Sequence, residues 1–251
     1  PKIISLVKEW NPSIHLIGFK LLVDVTEDHL IEVARQSLVK NQANIIIAND
    51  LTQISAYQHR AIFVEKDRLQ TVQTKVTGSI ASYKAADLVS SLKKQGHDVT
   101  VLMTEAAREF IQPLTLQVLS QNPVHLDVMQ EPYPDQVNHI ERGKETDLFI
   151  VVPATANTIA KLAHGFADNM VTSTALALPS HIPKLLAPAM NTKMYDHPAT
   201  QTNLKTLETY GYKLISPKES LLACGDYGRG ALADLDIILE RIKETLNEKT
   251  L

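Results

Sequence analysis

QTVQTKVTGSIASYKAADLV, residues 70–89, places a Gly-Ser turn at Gly78 and Ser79 directly ahead of a helix-forming run. A turn of this kind between a strand and a helix opens the phosphate-binding crevice of many α/β sheets, and the strand that feeds it is ordinarily buried and apolar. Here the preceding residues are Thr71, Val72, Gln73, Thr74 and Lys75, so half of the strand is polar. Strand alternation puts Val72, Thr74 and Val76 on one face and Gln73 and Lys75 on the other. In a sheet covered on both sides the second face is buried too. Lys75 is therefore expected either to reach solvent along its aliphatic stem or to lie unpaired in an apolar layer.

Downstream of the turn, strand-like and helix-like segments alternate. HDVTVLMT (97–104) precedes EAAREFIQPLTLQVLS (105–120), and DLFIVVPAT (147–155) precedes ANTIAKLAHGFADNM (156–170). IPKLLAPAM (182–190) precedes a helix near 199–210, and a closing helix is expected over 235–247. This alternation predicts an α/β fold with a doubly wound parallel sheet and helices on both faces, a Rossmann-like arrangement. Upstream the same grammar is shorter: a strand at IHLIGF (14–19), a helix at TEDHLIEVARQSLVK (26–40), a strand at ANIIIAND (43–50) and a hairpin-like AIFVEKDRLQTVQT (61–74). In that helix Leu30, Ile31, Val33, Ala34 and Leu38 form one apolar face, and Thr26 with Glu27 and Asp28 makes a sound N-terminus. A single βαβ unit is an incomplete α/β fragment, so we divide the chain into residues 1–75 and 76–251.

With 251 residues, 44% of them hydrophobic, the chain can build a real core as one large or two modest domains. A formal net charge of −3 without a basic cluster gives no footprint for nucleic acid or an anionic membrane. No apolar run approaches the roughly 18 residues that span a bilayer, and PKIISLVKEW lacks a signal-peptide cleavage site, so a cytoplasmic protein is expected. Pro1 in place of Met suggests that the natural start lies elsewhere. The sole cysteine, Cys224, can form neither an internal disulfide nor a thiolate metal site, and no metal is expected.

In an open α/β sheet, ligands sit beyond the carboxyl ends of the strands. Four such exits carry small or hydroxyl residues where a helix begins: Gly78-Ser79-Ile80, Met103-Thr104, the run from Pro153 to Thr158, and Pro188-Ala189-Met190-Asn191. Ser79, Thr104, Thr155 and Asn191 are either ordinary helix caps or, with the backbone N–H groups beside them, donors to a phosphate. No GxGxxG and no GxxxxGK[ST] occurs, which excludes a dinucleotide fingerprint or a P-loop. In QVNHIERGKETDLFIVV, His139 falls on a short amphipathic helix and is either structural or a titrating base. Cys224 stands ahead of Gly225, Gly228 and Gly230, a density that suits a mobile flap, against the alternative of a buried, inert thiol.

VTGSIASYKAADL, HI followed by a strand and PATANT, APAMNTKMY, and ACGDYGRGAL, in this order over residues 76–248, resemble the phosphopantothenoylcysteine decarboxylases, which belong to the flavin-dependent cysteine decarboxylases. The resemblance implies FMN as cofactor, a homo-oligomer built of trimers with active sites at subunit contacts, and decarboxylation of 4'-phosphopantothenoylcysteine to 4'-phosphopantetheine. It further implies that Gly78, Ser79, Ile80, Thr104, Thr155, Ala156, Asn157, Thr158 and Ala189 contact FMN. By the same resemblance His139 acts as base, Asn191 and Ala223 hold the substrate, and Cys224 donates a proton. Two alternatives stay open: a related decarboxylase of peptide C-terminal cysteines, which keeps the reaction and differs mainly around the flap, and a flavin-binding regulatory relative without turnover, which is expected to lack His139 or Cys224, both present here.

Residues 1–75 carry a second resemblance. GFKLLVD, ARQSLVKNQ and IIIANDL are similar to the C-terminal part of phosphopantothenoylcysteine synthetase, a CTP-using enzyme, which implies that Phe19 and Lys40 touch a nucleotide. Only about a third of such a domain is covered, so ligase activity is not expected. The polar strand ahead of Gly78 is then the place where one pattern runs into the other.

Overall fold

The computed structural model describes residues 3–53, 61–65, 70–131 and 137–248, and the chain divides into two compact units, residues 1–68 and 69–251. In the first unit, β1 (Ile17–Leu22) pairs parallel with β2 (Ile45–Asp50), and β3 (Ile62–Glu65) pairs antiparallel with β2. The helix Glu27–Lys40 makes the crossover. Its Leu30, Ala34 and Leu38 pack on Ile46, Ala48 and Val64, while the other sheet face presents the exposed Phe19 and Phe63. The first strand starts three residues later than its apolar pattern suggests, because pairing sets Ile17 against Ile45 and carries the ladder through to Leu22. The expected hairpin over 61–74 does not form, since β3 joins β2 and the next strand enters a different sheet; residues 66–69 of that stretch lie outside the described residues.

The second unit holds β4 (Thr71–Val76), β5 (Asp98–Met103), β6 (Val124–His125), β7 (Leu148–Ala154), β8 (Lys184–Pro188) and β9 (Tyr212–Leu214), all parallel in the order β6-β5-β4-β7-β8-β9. The winding direction reverses between β4 and β7, the place where a doubly wound sheet opens a crevice. One face packs Val72, Val76, Val101 and Ile150 with the helices Lys84–Lys94 and Leu235–Glu248; the other packs Phe149 and Val151 with Ile159, Leu204 and Leu207. The segment 105–120 is two helices, Glu105–Arg108 and Pro113–Ser120, because proline cannot continue the first but suits the opening position of the second. The segment 156–170 also breaks, after Ala163, and Asn169 caps a separate helix at Met170–Leu176.

β4 lies in the centre of this sheet with every residue buried. Neither expected fate of Lys75 is found. Its ammonium is fully buried, donates to Gln73 Oε1 at 2.6 Å and stands 4.5 Å from the centre of the Phe149 ring. Gln73 lies two residues back on the same face, within reach, and its Nε2 donates to the carbonyl of Arg142 in the helix Asn138–Lys144. Burial still pushes the ammonium well below the ordinary lysine pKa.

Candidate active site

β4 and β7 end side by side, and the buried Thr77 ties their exits together. Its Oγ1 donates to the Pro153 carbonyl at 2.8 Å and accepts from the Thr155 N–H at 3.1 Å. Gly78 follows. A Cβ there would sit 2.6 Å from the Ala106 Cβ and 2.9 Å from the Ala106 carbonyl group, so close approach to the β5 exit demands glycine.

Three of the four expected caps do cap helices. Ser79 Oγ accepts from the Ala81 N–H at 3.2 Å while Ser82 Oγ accepts from the Ser79 N–H at 3.2 Å. Thr155 Oγ1 accepts from the Thr158 N–H at 3.3 Å, and Asn191 Oδ1 from the Lys193 N–H at 2.8 Å. Thr104 departs from this pattern: it makes no cap bond, and its Oγ1 is buried without a partner. Because Thr104 also lines the cavity at these strand exits, its hydroxyl is available to a polar ligand atom.

Thr104 lines a cavity of about 710 Å³ at the switch point, within the size range of cofactor sites. All nine residues expected to contact a cofactor line it: Gly78, Ser79, Ile80, Thr104, Thr155 through Thr158, and Ala189. Phe110 and Met194, which the sequence did not single out, add an apolar wall together with Met190 of the fourth strand exit. At the rim, Lys161 pairs with Asp168 and holds its carboxyl below the usual carboxylate range. A second cavity of about 490 Å³ adjoins the first, sharing Ser79, Ile80, Ala189 and Met190, and carries Asn191, Ala223 and Cys224.

The wall of the second cavity is a hairpin of β10 (Lys218–Leu221) and β11 (Tyr227–Ala231). The glycine-dense segment was expected to be a flexible flap, but its base is docked. Gly230 has φ of 153°, a Cβ there would lie 2.3 Å from the Met190 carbonyl oxygen, and the Met190 N–H donates to the Gly230 carbonyl at 2.9 Å. The turn between the strands carries Cys224, which is exposed rather than buried. Asn191 Nδ2 lies 3.1 Å from Cys224 Sγ and 3.2 Å from Asp226 Oδ2. Asp226 escaped the sequence reading, although its place two residues beyond the cysteine in a glycine-rich turn was a usable signal.

His139 lines neither cavity. It sits on the helix Asn138–Lys144, half-buried, with Nδ1 enclosed and without a partner. In the first unit, Phe19 is 75% exposed on the uncovered sheet face, while Lys40 ends the helix that covers the opposite face. Among the described residues no cluster of three or more His, Cys, Asp or Glu side chains could hold a metal, and no helix is long and apolar enough to cross a membrane.

Residues 60–247 match the flavoprotein family. The chain is 63% identical over 171 residues to a probable phosphopantothenoylcysteine decarboxylase of Streptococcus mutans, covering 68% of this chain and 96% of that protein. It is 46% identical over 175 residues to the coenzyme A biosynthesis bifunctional protein CoaBC of Bacillus subtilis, of which it spans only 43%. Among solved structures, a PPC decarboxylase variant complexed with pantothenoylaminoethenethiol superposes with a TM-score of 0.64 at 31% identity, covering 70% of this chain and 98% of that one. The FMN-dependent cysteine decarboxylase SpaF gives 0.64 at 26% identity, covering 73% and 98%.

Proposed function

The chain belongs to the flavoprotein family, and on that premise we propose that it decarboxylates 4'-phosphopantothenoylcysteine to 4'-phosphopantetheine with FMN as cofactor, a step of coenzyme A biosynthesis. The observation that carries this reading is the pair of adjoining cavities: one lined by helix-start hydroxyls and N–H groups, the other by a thiol and an amide.

FMN fits the first cavity. The partnerless Thr104 hydroxyl, the helix start behind Thr155 and the turn at Ser79 suit its polar groups, and Ile80, Phe110 and Met194 suit a flat ring. When bound, FMN supplies the electron sink without which a simple α-carboxylate resists losing CO₂. Asn191 lies beside Cys224 in this cavity and is placed to hold the substrate's carboxylate, exchanging for it one of the two amide hydrogens directed at Cys224 and Asp226. Lys84 and Lys218 border the same cavity, Lys218 paired with Asp234, and suit the phosphate at the substrate's other end. Cys224 gives its thiol proton to the substrate carbon after CO₂ has left. His139 takes the substrate's thiol proton; because it lies outside both cavities, we assign it to the site of a neighbouring copy in a trimer.

The test is direct. Purified protein should carry stoichiometric FMN and release CO₂ from 4'-phosphopantothenoylcysteine; Cys224→Ser should still release CO₂ without completing the product, and His139→Asn should block the first step. Failure to bind FMN would overturn the cofactor assignment. CO₂ release from a peptide with C-terminal cysteine, and none from the phosphorylated substrate, would overturn the substrate. For the part of residues 1–75 that lies in the first unit we propose a synthetase-like remnant, tested by saturable CTP binding that Phe19→Ala or Lys40→Ala abolishes.

A further inference from the structure

The turn that carries Cys224 holds a carboxylate that the reaction as described leaves unused. Asn191 is oriented by its cap bond: with Oδ1 accepting from the Lys193 N–H, its Nδ2 faces the hairpin, and the two amide hydrogens go to Cys224 Sγ and Asp226 Oδ2. The sulfur therefore receives a hydrogen bond on a lone pair, and its own S–H has an acceptor in Asp226 Oδ2 at 3.6 Å. The turn keeps this triangle closed, since the Gly225 N–H donates to the Leu222 carbonyl at 2.9 Å and the Leu222 N–H to the Asp226 carbonyl at 2.8 Å. Both Cys224 and Asp226 are open to solvent.

We infer that Asp226 is a positioning residue for Cys224: it aims the thiol proton before transfer and returns a proton to the sulfur afterwards. In the first event the S–H bond breaks and a C–H bond forms on the substrate carbon, leaving a thiolate. In the second, Asp226 takes a proton from water, leaving hydroxide to the solvent, and passes it to sulfur; its O–H bond breaks, the S–H bond forms, and the carboxylate is restored. No electron moves, and the net proton comes from solvent. A second consequence is geometric: a sulfur held between the Asn191 amide and the Asp226 carboxylate must leave those contacts before it is alkylated or oxidised.

The transfer step rests on the proposed function, whereas the hold on the thiol does not, and the experiment separates them. Cys224 is the sole cysteine, so the rate of alkylation by iodoacetamide reports on it alone in the full-length, FMN-loaded protein. Asp226→Asn keeps the shape and removes the charge. Its alkylation should be about fivefold faster, the change expected when the charged acceptor of the S–H is replaced by a weaker neutral one. Steady-state turnover should fall about tenfold or more with KM little changed and the first CO₂ released per site at its parental rate, while Asp226→Glu restores turnover. An unchanged alkylation rate in Asp226→Asn, or turnover equal to the parent, overturns the inference. So does a fall in first CO₂ release that tracks loss of FMN, which marks a merely structural role. If the parent releases no CO₂ at all, the proposed function fails and takes the proton-return step with it; the alkylation comparison then decides the thiol contact by itself.

Discussion

Lys75 Nζ donates to Gln73 Oε1 at 2.6 Å in the central strand of the second unit, where neither side chain reaches water. Removing Lys75 alone takes away a buried ammonium but leaves the Gln73 oxygen without its donor, a loss of about 1–3 kcal/mol that offsets the gain. We therefore expect Lys75→Met to be near neutral and the double variant Gln73→Leu, Lys75→Met to exceed the parent by about 1–3 kcal/mol, as apolar replacement of buried charged pairs often does. The Arg142 carbonyl keeps a donor in Thr146 Oγ1 at 2.7 Å. Because the folded-state pKa of Lys75 is depressed, the unfolded chain binds the extra proton and the parent gains stability as pH rises towards about 10; the double variant should lose that gain. Urea denaturation decides it, and a destabilised double variant would contradict the account.

His125 gives a second pH dependence. Its ring lies beside Asn138, with Nδ2 3.2 Å from Nδ1, and burial together with the positive Arg142 and Lys75 lowers its pKa from 6.5 to about 4. The folded ring is neutral where the unfolded one is charged, so its contribution is present above about pH 6.5 and is lost as pH falls towards 4. The loss should reach about 2 kcal/mol, less than the full shift implies because part of the ring is solvated. His125→Gln should flatten the slope of stability between those limits; an unaltered slope would refute the assignment.

Gly78 and Thr104 should separate space from hydrogen bonding in the cofactor cavity. Gly78→Ala forces a Cβ against the Ala106 backbone, so FMN affinity should fall about tenfold or more. Thr104→Val removes the partnerless hydroxyl without changing shape. If that hydroxyl meets a polar ligand atom, the apoprotein should be as stable as the parent or more so, while FMN binds about fivefold to tenfold more weakly. Equal FMN affinity in Thr104→Val, read by fluorescence quenching, would remove Thr104 from the site.

Gly230→Ala tests whether the hairpin works as a docked wall. The Met190 carbonyl lies where the new Cβ must go, and the backbone there is strained for any other residue. The base of the hairpin should detach, lowering turnover about tenfold while leaving FMN bound, since Gly230 lines only the second cavity. FMN loss in proportion to activity would show that the two cavities are not separable.

In the first unit, Asp50 accepts hydrogen bonds from the N–H groups of Asp24, Val25 and Thr52 and from the Thr52 hydroxyl, and these bonds hold its pKa near 2. Its contribution is complete above the ordinary carboxylate range and is lost as pH falls through about 2. Asp50→Ala should accelerate amide exchange of β1 and β2 at neutral pH and leave that of β4 and β7 unchanged. Uniform acceleration over both units would show that the effect is not local.

Alternation of apolar segments with helical ones, the Gly-Ser turn and the hydroxyls at strand exits are local properties, and they were sufficient for the doubly wound sheet and for the four strand exits that border the first cavity. Polar β4 likewise announced that something unusual is buried in the sheet. Gln73, two residues back on the same strand face, was within reach of that reading, but what anchors the pair could not be read from the chain, because it is supplied by strand order and helix placement. Thr77 meets Pro153 across 76 residues, Gln73 meets Arg142 across 69, and Asn191 meets Asp226 across 35. Hydrophobic period and turn chemistry act between neighbours along the chain. A buried hydrogen bond also requires that the whole sheet be assembled around it, and only the tertiary structure could give Gln73 its anchor at Arg142, Thr77 its bridging place and Asn191 its two contacts in the hairpin turn.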